Sequence, residues 1–181
     1  MRNKYMVTGL CSLAFLAGVL IITKRPSRAQ SPQAQVPEHV IYRHLFHHVV
    51  ALKKKAEELE NDGKDTAQIR THFKRQAQLN DQQVQALDLV AAQYDEQEKV
   101  LDARAKPIID AYKAQYPGGQ VPHGQKPTPP PVELRGLSLE RDALALRGRD
   151  QLSAALGSDF ARFDKFVKTR VAADTNIQSA R

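Results

Sequence analysis

Residues 79–84 read Leu79-Asn80-Asp81-Gln82-Gln83-Val84, and the run from there to Tyr116 decides the fold. Asn80 is placed to cap a helix, Gln83 sits three residues on and can bond back, and Leu79 can staple onto Val84. Behind that start, apolar residues recur at Val84, Leu87, Ala91, Tyr94, Leu101, Ala105, Ile108 and Tyr112. These are the two alternating seam positions of a heptad, broken once, at Glu98. At 1.5 Å per residue the helix is roughly 50 Å long, more than a small globule needs. Pro107 removes a backbone bond from its interior and predicts a kink near Ala103–Pro107. Because the seam resumes in register at Ile108 and Tyr112, the expectation is a bend and not a stop. Tyr116-Pro117-Gly118-Gly119 ends the helix.

The other segments supply partners for this seam. A helix from Glu38 to Asn61 starts behind Pro37, with Glu38 complementing its dipole. Its seam is Tyr42, Leu45, Val49, Leu52, Ala56 and Leu59, widened by Ile41, Phe46 and Val50, and Gly63 is available for a left-handed cap. Asp65-Thr66-Ala67-Gln68 reads as a capping box for a short helix carrying Ile69, Phe73 and Ala77 on one face. Pro117 to Pro131 holds three Gly and six Pro, a polyproline-biased linker of roughly 45 Å when extended, able to return along the long helix. A helix from Val132 to Leu156 follows, with Leu134, Leu137, Leu144, Leu152, Ala155 and Leu156 as core. Gly136 and Gly148 weaken it by about 1 kcal/mol each and let another helix approach. Gly157 closes it, and Ser158 caps a last helix with Phe160, Phe163, Val167 and Val171 on one face and Phe166 beside them. The expected fold is all-α: an elongated bundle of about five helices around one long central helix, with no sheet.

Composition agrees with this and removes one function class. The formal charge of +7 is concentrated at the front. Of 27 Lys and Arg, five (Arg2, Lys4, Lys24, Arg25 and Arg28) precede Gln30 and no acid does, which leaves 22 bases against 20 acids. The basic stripe with interleaved aromatic residues that a nucleic-acid binder needs is missing, so nucleic acid is not an expected partner. The uncharged run Tyr5–Thr23 between basic flanks, followed by the small pair Ser27 and Ala29, reads as an export signal cut before Gln30. The competing reading is an uncleaved anchor over residues 5–23, near the lower length for a membrane span. Either way the body is expected outside the cytoplasm, periplasmic if the signal is cut. Cys11 is the only cysteine, so the exported part has no disulfide. The expected layout is residues 1–29 signal or anchor, 30–37 a disordered spacer, 38–116 a first helical region, 117–131 the linker, 132–173 a C-terminal helical hairpin on the same core, and 174–181 a frayed tail.

No glycine-rich phosphate loop, Gly-x-Ser-x-Gly elbow or cysteine ligand pair is present, and nothing nominates a nucleophile or base. The expectation is a non-enzyme with no cofactor. His44 and His48, spaced i,i+4 with His47 between them and His39 upstream, are the one pair able to meet a metal from one helix side. Two ligands fall short of a site, so no metal is assigned, and surface histidines titrating near pH 6.5 are the plainer reading. Asp81, Asp88, Asp95 and Asp102 recur every seven residues beside the long seam, and Lys53 and Lys55 flank the first helix, with Arg43 and His48 nearby. This acidic stripe either orients the first helix, or a second subunit, against the long one, or is an ordinary solvated flank. Asp95 with Lys99 and Asp102 with Lys106 have favourable i,i+4 spacing.

The start Leu79-Asn80-x-x-Gln83 resembles the Leu-Thr-x-x-Gln motif of the periplasmic Spy/CpxP-type LTXXQ family of small helical chaperones and envelope-stress proteins, with Asn80 in place of Thr. The ending Leu152-x-x-x-Leu156-Gly157-x-x-x-x-x-Phe163-x-x-Phe166 is similar to the closing turn in that group. The resemblance covers about Ile69 to Tyr112 and, more loosely, Arg141 to Val171. It departs in having one copy of the motif, a proline linker and a histidine cluster in the first helix. What it implies is a dimeric, curved helical layer that binds unfolded envelope proteins without ATP. The alternative is a structural or assembly protein, membrane-tethered if the signal stays, whose seam takes a fixed partner or itself. A metal or pH sensor using His44 and His48 is the third reading.

Overall fold

The computed structural model describes residues 36–116 and 126–174, with side chains as far as Arg170. The elements are α1 (Glu38–Asn61), α2 (Ala67–Arg70), α3 (His72–Gln76), α4 (Asp81–Ala114), α5 (Val132–Leu156) and α6 (Phe160–Asp174), with a 3-10 turn, Gly157–Asp159, before α6. No strand occurs among the described residues, and the fold is all-α around one long central helix, as its heptad pattern predicts. The expected signal, and all of the expected spacer except Val36 and Pro37, lie outside the described residues, as does the tail beyond Asp174. Among the described residues, no helix is long and apolar enough to cross a membrane.

α4 and α5 form an antiparallel hairpin. Near its closed end Arg104 bonds Glu140 at 2.7 and 3.2 Å and Arg141 bonds Asp102; at the far end Gln83 Nε2 donates to Asp159 Oδ2 at 2.9 Å. α1 lies against both helices, antiparallel to α4, with Phe46 stacked 5.0 Å from Tyr94 and Glu38 paired with Arg149 of α5. α6 folds back over α1, where the Tyr42 hydroxyl donates to Asp164 Oδ1 at 2.8 Å and Lys168 Nζ meets Glu38 Oε1 at 2.9 Å. One continuous core results, from Tyr42, Leu45 and Phe46 of α1 through Leu87, Ala91 and Tyr94 of α4 and Leu144 and Leu152 of α5 to Phe163 and Val167 of α6. Both helical regions share it.

The α4 start is built as its sequence specifies. Asn80 Oδ1 accepts from Gln83 N at 2.8 Å, Gln83 Oε1 accepts from Asn80 N at 3.0 Å, and Leu79 and Val84 both join the core. The same Gln83 amide donates to Asp159, so the capping box also ties the start of α4 to the α5–α6 corner. The preceding turn closes on Gln78 in the left-handed region (φ 53°), where Leu79 N bonds Lys74 O at 3.1 Å and Arg162 of α6 donates to the carbonyls of Ala77 and Gln78. A glycine is the usual residue there; Arg162 supplies the missing support from a distant helix. α4 runs on through Pro107, whose lost bond leaves the carbonyl of exposed Ala103 to solvent.

Several local expectations are corrected. The helix expected over Ile69–Ala77 is broken at Thr71 into α2 and α3, although Phe73 and Ala77 are buried as expected. The capping box at Asp65–Gln68 does not close: Asp65 Oδ1 takes Ala67 N at 2.9 Å, while Thr66 is buried and bonds Glu60 at 2.5 Å. Ser158 sits inside the 3-10 turn and does not cap α6, and the side chain bonding Gln83 and Arg162 at that corner is that of Asp159. Ala155 is exposed, and Ala145 and Gly148 take its place in the core. Lys106 pairs forward to Asp110 at 2.7 Å because Asp102 is taken by Arg141. Residues 117–125 of the linker lie outside the described set, but its end is held at the C-terminus of α4. The Tyr112 hydroxyl donates to Thr128 O there, and Thr128 N donates to the Tyr116 oxygen at 2.6 Å. The return along α4 is therefore made by α5 itself.

The two glycines of α5 separate sharply. A Cβ on Gly148 would come within 2.7 and 2.8 Å of the Phe46 ring, whereas one on Gly136 would meet nothing within 4 Å among the described residues. Gly148 is a notch for Phe46, which is fully buried and cannot retreat. Gly148→Ala is expected to destabilise the fold by about 2 kcal/mol despite the better helix propensity of alanine, through overpacking. Urea unfolding measures this, and a variant as stable as the parent would show that the notch is not needed.

Candidate functional site

α4 turns one side toward α1 and a second toward α5, and beyond the α5 contact it leaves apolar surface uncovered. Val100 is 60 % exposed and Leu139, across on α5, is 63 % exposed. Between them runs a groove of about 510 Å³ whose floor is Leu101, Leu144 and Gly136 and whose rim carries Gln97, Glu140 and Arg147. The local cause is that α5 has apolar residues on two faces: the inner set packs into the core, while Leu139 and Ala143 stand on the other side. A trough between two antiparallel helices is the shape into which a further helix ridge packs. Chemically the groove offers apolar contact with polar and charged edges, the composition of a protein-binding surface.

Below the groove lies a polar cluster where α1, α4 and α5 meet. Glu98, the break in the heptad, is buried at 8 % exposure in the seam itself. Its carboxylate accepts from the Tyr94 hydroxyl at 3.1 Å, contacts His47 Nε2 of α1, and lies 3.5 Å from Arg141 Nε of α5. Arg141 also reaches Asp102, although its buried Nε makes no hydrogen bond. Burial pushes the Tyr94 phenol well above its ordinary range, and the adjacent Glu98 carboxylate adds to the shift by charge and by hydrogen bond. The cluster therefore holds its carboxylate by hydrogen-bond contact with Tyr94 and His47 and by the charge of Arg141. The position of Glu98 in a seam was its only mark in the sequence; Arg141 carried none, being one of many bases on an exposed-looking stretch.

The residues singled out from sequence are dispersed. Asp81 pairs with Lys74 at 2.5 Å, Asp95 with Lys99 at 2.8 Å, and Asp102 with Arg141. Only Asp88 faces Lys53, in a cleft of about 140 Å³ that also holds Arg70, Leu52 and Phe73. Lys55 pairs within α1, with Glu58 at 3.7 Å. Seven residues fall about 20° short of two turns of a straight helix, so over three heptads a stripe drifts by about 60° and meets a new neighbour each time. His44 is exposed on α1, and His48 packs edge-on to Phe73 and beside His72, each with ring centroids 5.6 Å apart. No group of three or more His, Cys, Asp or Glu able to hold a metal occurs among the described residues. His39 approaches Asp142 of α5 at 3.6 Å.

No protein-family model, curated protein or solved structure matches this chain.

Two substitutions probe these contacts. Glu98→Leu leaves the buried Tyr94 hydroxyl without its acceptor and takes from half-buried Arg141 one of its two carboxylate partners, and a loss of about 2 kcal/mol in urea unfolding is expected. A loss below about 0.5 kcal/mol would mean that the cluster is solvated and not structural. For Asp88, burial raises the carboxyl above its ordinary range against the lowering pull of Lys53 and Arg70. A folded-state value above the unfolded one favours folding at low pH, and that contribution is lost as pH rises through the raised value. Asp88→Asn should therefore raise the melting temperature at pH 7, with the advantage shrinking to nothing as pH falls below the carboxylate range. A lower melting temperature at pH 7 would show that the attraction of Lys53 and Arg70 outweighs desolvation.

Proposed function

We propose that this chain is a non-enzymatic, exported helical protein that binds other proteins, holding apolar segments of unfolded envelope clients in the α4–α5 groove without a nucleotide cycle. The single observation that carries the reading is the groove itself: Val100 and Leu139, 60 % and 63 % exposed, flank an open trough with polar and charged rims. Scattered exposed apolar side chains need no explanation, but two facing each other across a trough with polar rims do. Supporting it are the export-type N-terminus and the resemblance of Leu79-Asn80-x-x-Gln83 and of the Leu152–Phe166 ending to the LTXXQ chaperones. The rim of Gln97, Glu140 and Arg147 suits segments of mixed charge and favours no single sequence. The second reading, a structural protein with a fixed partner or itself, is favoured by the exposure of Val132 and Leu139 along α5.

The test is suppression of aggregation of several unrelated unfolded proteins at near-stoichiometric amounts. Wild-type protein is expected to protect more than one of them. Val100→Lys, an exposed change that leaves the core intact, should reduce protection about tenfold by placing a charge in the groove. Protection of no client, or equal protection by the variant, would remove the groove from the function.

A further inference from the structure

A second, smaller cleft opens where α1, α2, α3 and α4 meet, and it shares no residue with the α4–α5 groove. Its volume is about 140 Å³, and its apolar wall includes Leu52 of α1, Ile69 of α2, Phe73 of α3 and Val84 of α4. Three charged residues also line it: Lys53, Arg70 and Asp88. Asp88 is half-buried, yet its carboxylate accepts no hydrogen bond among the described residues. Lys53 and Arg70 act on it by charge alone, from beyond ion-pair distance. Arg70 is fixed by Glu60, to which its Nε and Nη2 each donate at 2.5 Å, and exposed Lys53 makes no ion pair among the described residues. At roughly 30 Å³ for each water the space between these charges is larger than a single bridging water needs. An acid desolvated in a cleft, without a bonded partner and facing separated cations, is the arrangement of a binding site.

We propose that this cleft binds a free aliphatic α-amino acid as its zwitterion, with the ammonium on Asp88, the carboxylate on Lys53 and Arg70, and the side chain against the apolar wall. The three charges select among ligand classes. An amine or a metal cation would meet one carboxylate and two cations, and a carboxylate or phosphate alone would bring a second anion beside half-buried Asp88. A zwitterion sets each of its charges against the opposite one. Size narrows the class further, because the cleft is well below the roughly 300 Å³ at which pockets for drug-sized ligands begin. Leu52, Ile69, Phe73 and Val84 then favour a ligand with an aliphatic side chain over glycine. The cost of Asp88 fits this role. Burial raises its carboxyl above the ordinary range, so the residue weakens the empty fold at neutral pH and recovers its bonds only when an ammonium enters. The site is independent of client binding in the α4–α5 groove.

Isothermal titration of the full chain with L-leucine tests this. Saturable binding in the submillimolar range is expected, the range open to a ligand of about nine non-hydrogen atoms. Isopentylamine, which is leucine without its carboxylate, and 4-methylpentanoate, which is leucine without its amine, should each bind about tenfold more weakly or worse. Glycine, which keeps both charges and lacks the side chain, should also lose about tenfold. Asp88→Asn should weaken leucine about tenfold while leaving 4-methylpentanoate unchanged, and Lys53→Met should weaken leucine while leaving isopentylamine unchanged. Asp88→Asn is expected to stabilise the fold and Lys53 is exposed, so loss of binding in either variant is not loss of structure. No saturable heat with leucine up to about 10 mM overturns the proposal. So does isopentylamine or glycine binding as tightly as leucine, or leucine binding unaltered by Asp88→Asn. The outcome of the aggregation assay with Val100→Lys does not bear on this site, so either reading can fail alone.

Discussion

The ring of Phe46 in the notch of Gly148 is the contact on which the arrangement of the long helices depends. It is fully buried, 5.0 Å from the Tyr94 ring and 6.1 Å from that of Tyr42, and it holds α1 against α4 and α5 at once. A side chain on residue 148 would push that ring outward, and α1 with it. The consequences spread in both directions along α1. Tyr42, one turn earlier, reaches Asp164 and so places α6; His47, the next residue, reaches Glu98 and so completes the polar cluster. Close packing makes these positions interdependent, because an interior without voids has no slack to absorb a shifted ring.

Glu98 acts on the same junction by a different route. A buried carboxylate is a poor way to gain stability, since an apolar residue of similar volume would avoid its desolvation. Its effect is on register. Slid by one heptad, α4 would bring Glu98 to a layer without His47 and Arg141, and an unpaired buried charge is far more costly than an unfavourable apolar contact. The seam of α4 is apolar enough to tolerate several alignments, and the one charged layer selects among them. Asp88 shows the milder version of this, half-buried between Lys53 and Arg70 with its carboxyl raised by desolvation.

With the inner seams satisfied, the remaining apolar surface has a definite location. α4 is 34 residues long and α5 25, and among the described residues α1 covers part of each while α6 packs on α1 and the end of α5. Helices this long relative to their partners leave part of their surface in water, and here the part left by α5 is patterned as a seam. The proposed client groove is the portion of this surface between α4 and α5, lined on the α5 side by Gly136, Leu139, Ala143 and Arg147.

Much of the fold was legible because it is written in local chemistry. The capping box at Asn80 and Gln83, the left-handed Gly63, the heptad seams of α1 and α4 and the bounds of α5 all depend on residues within a few positions of one another. Features that depend on a partner far along the chain were not legible: the break at Thr71, the left-handed Gln78 supported by Arg162, and the partners of Asp88 and Asp102, which lie on other helices, whereas the local pair of Asp95 with Lys99 was. The candidate groove was hinted at only as surplus apolar surface. By itself, then, the sequence determined the helices, their inward faces and the all-α class, because periodicity and capping are properties of a single helix. Only the tertiary structure decided that Gly148 admits Phe46 while no described residue comes within 4 Å of a Cβ on Gly136, that Glu98 is buried with partners from three helices, and that Val100 and Leu139 flank a groove, because each of these depends on which side chains arrive from another helix.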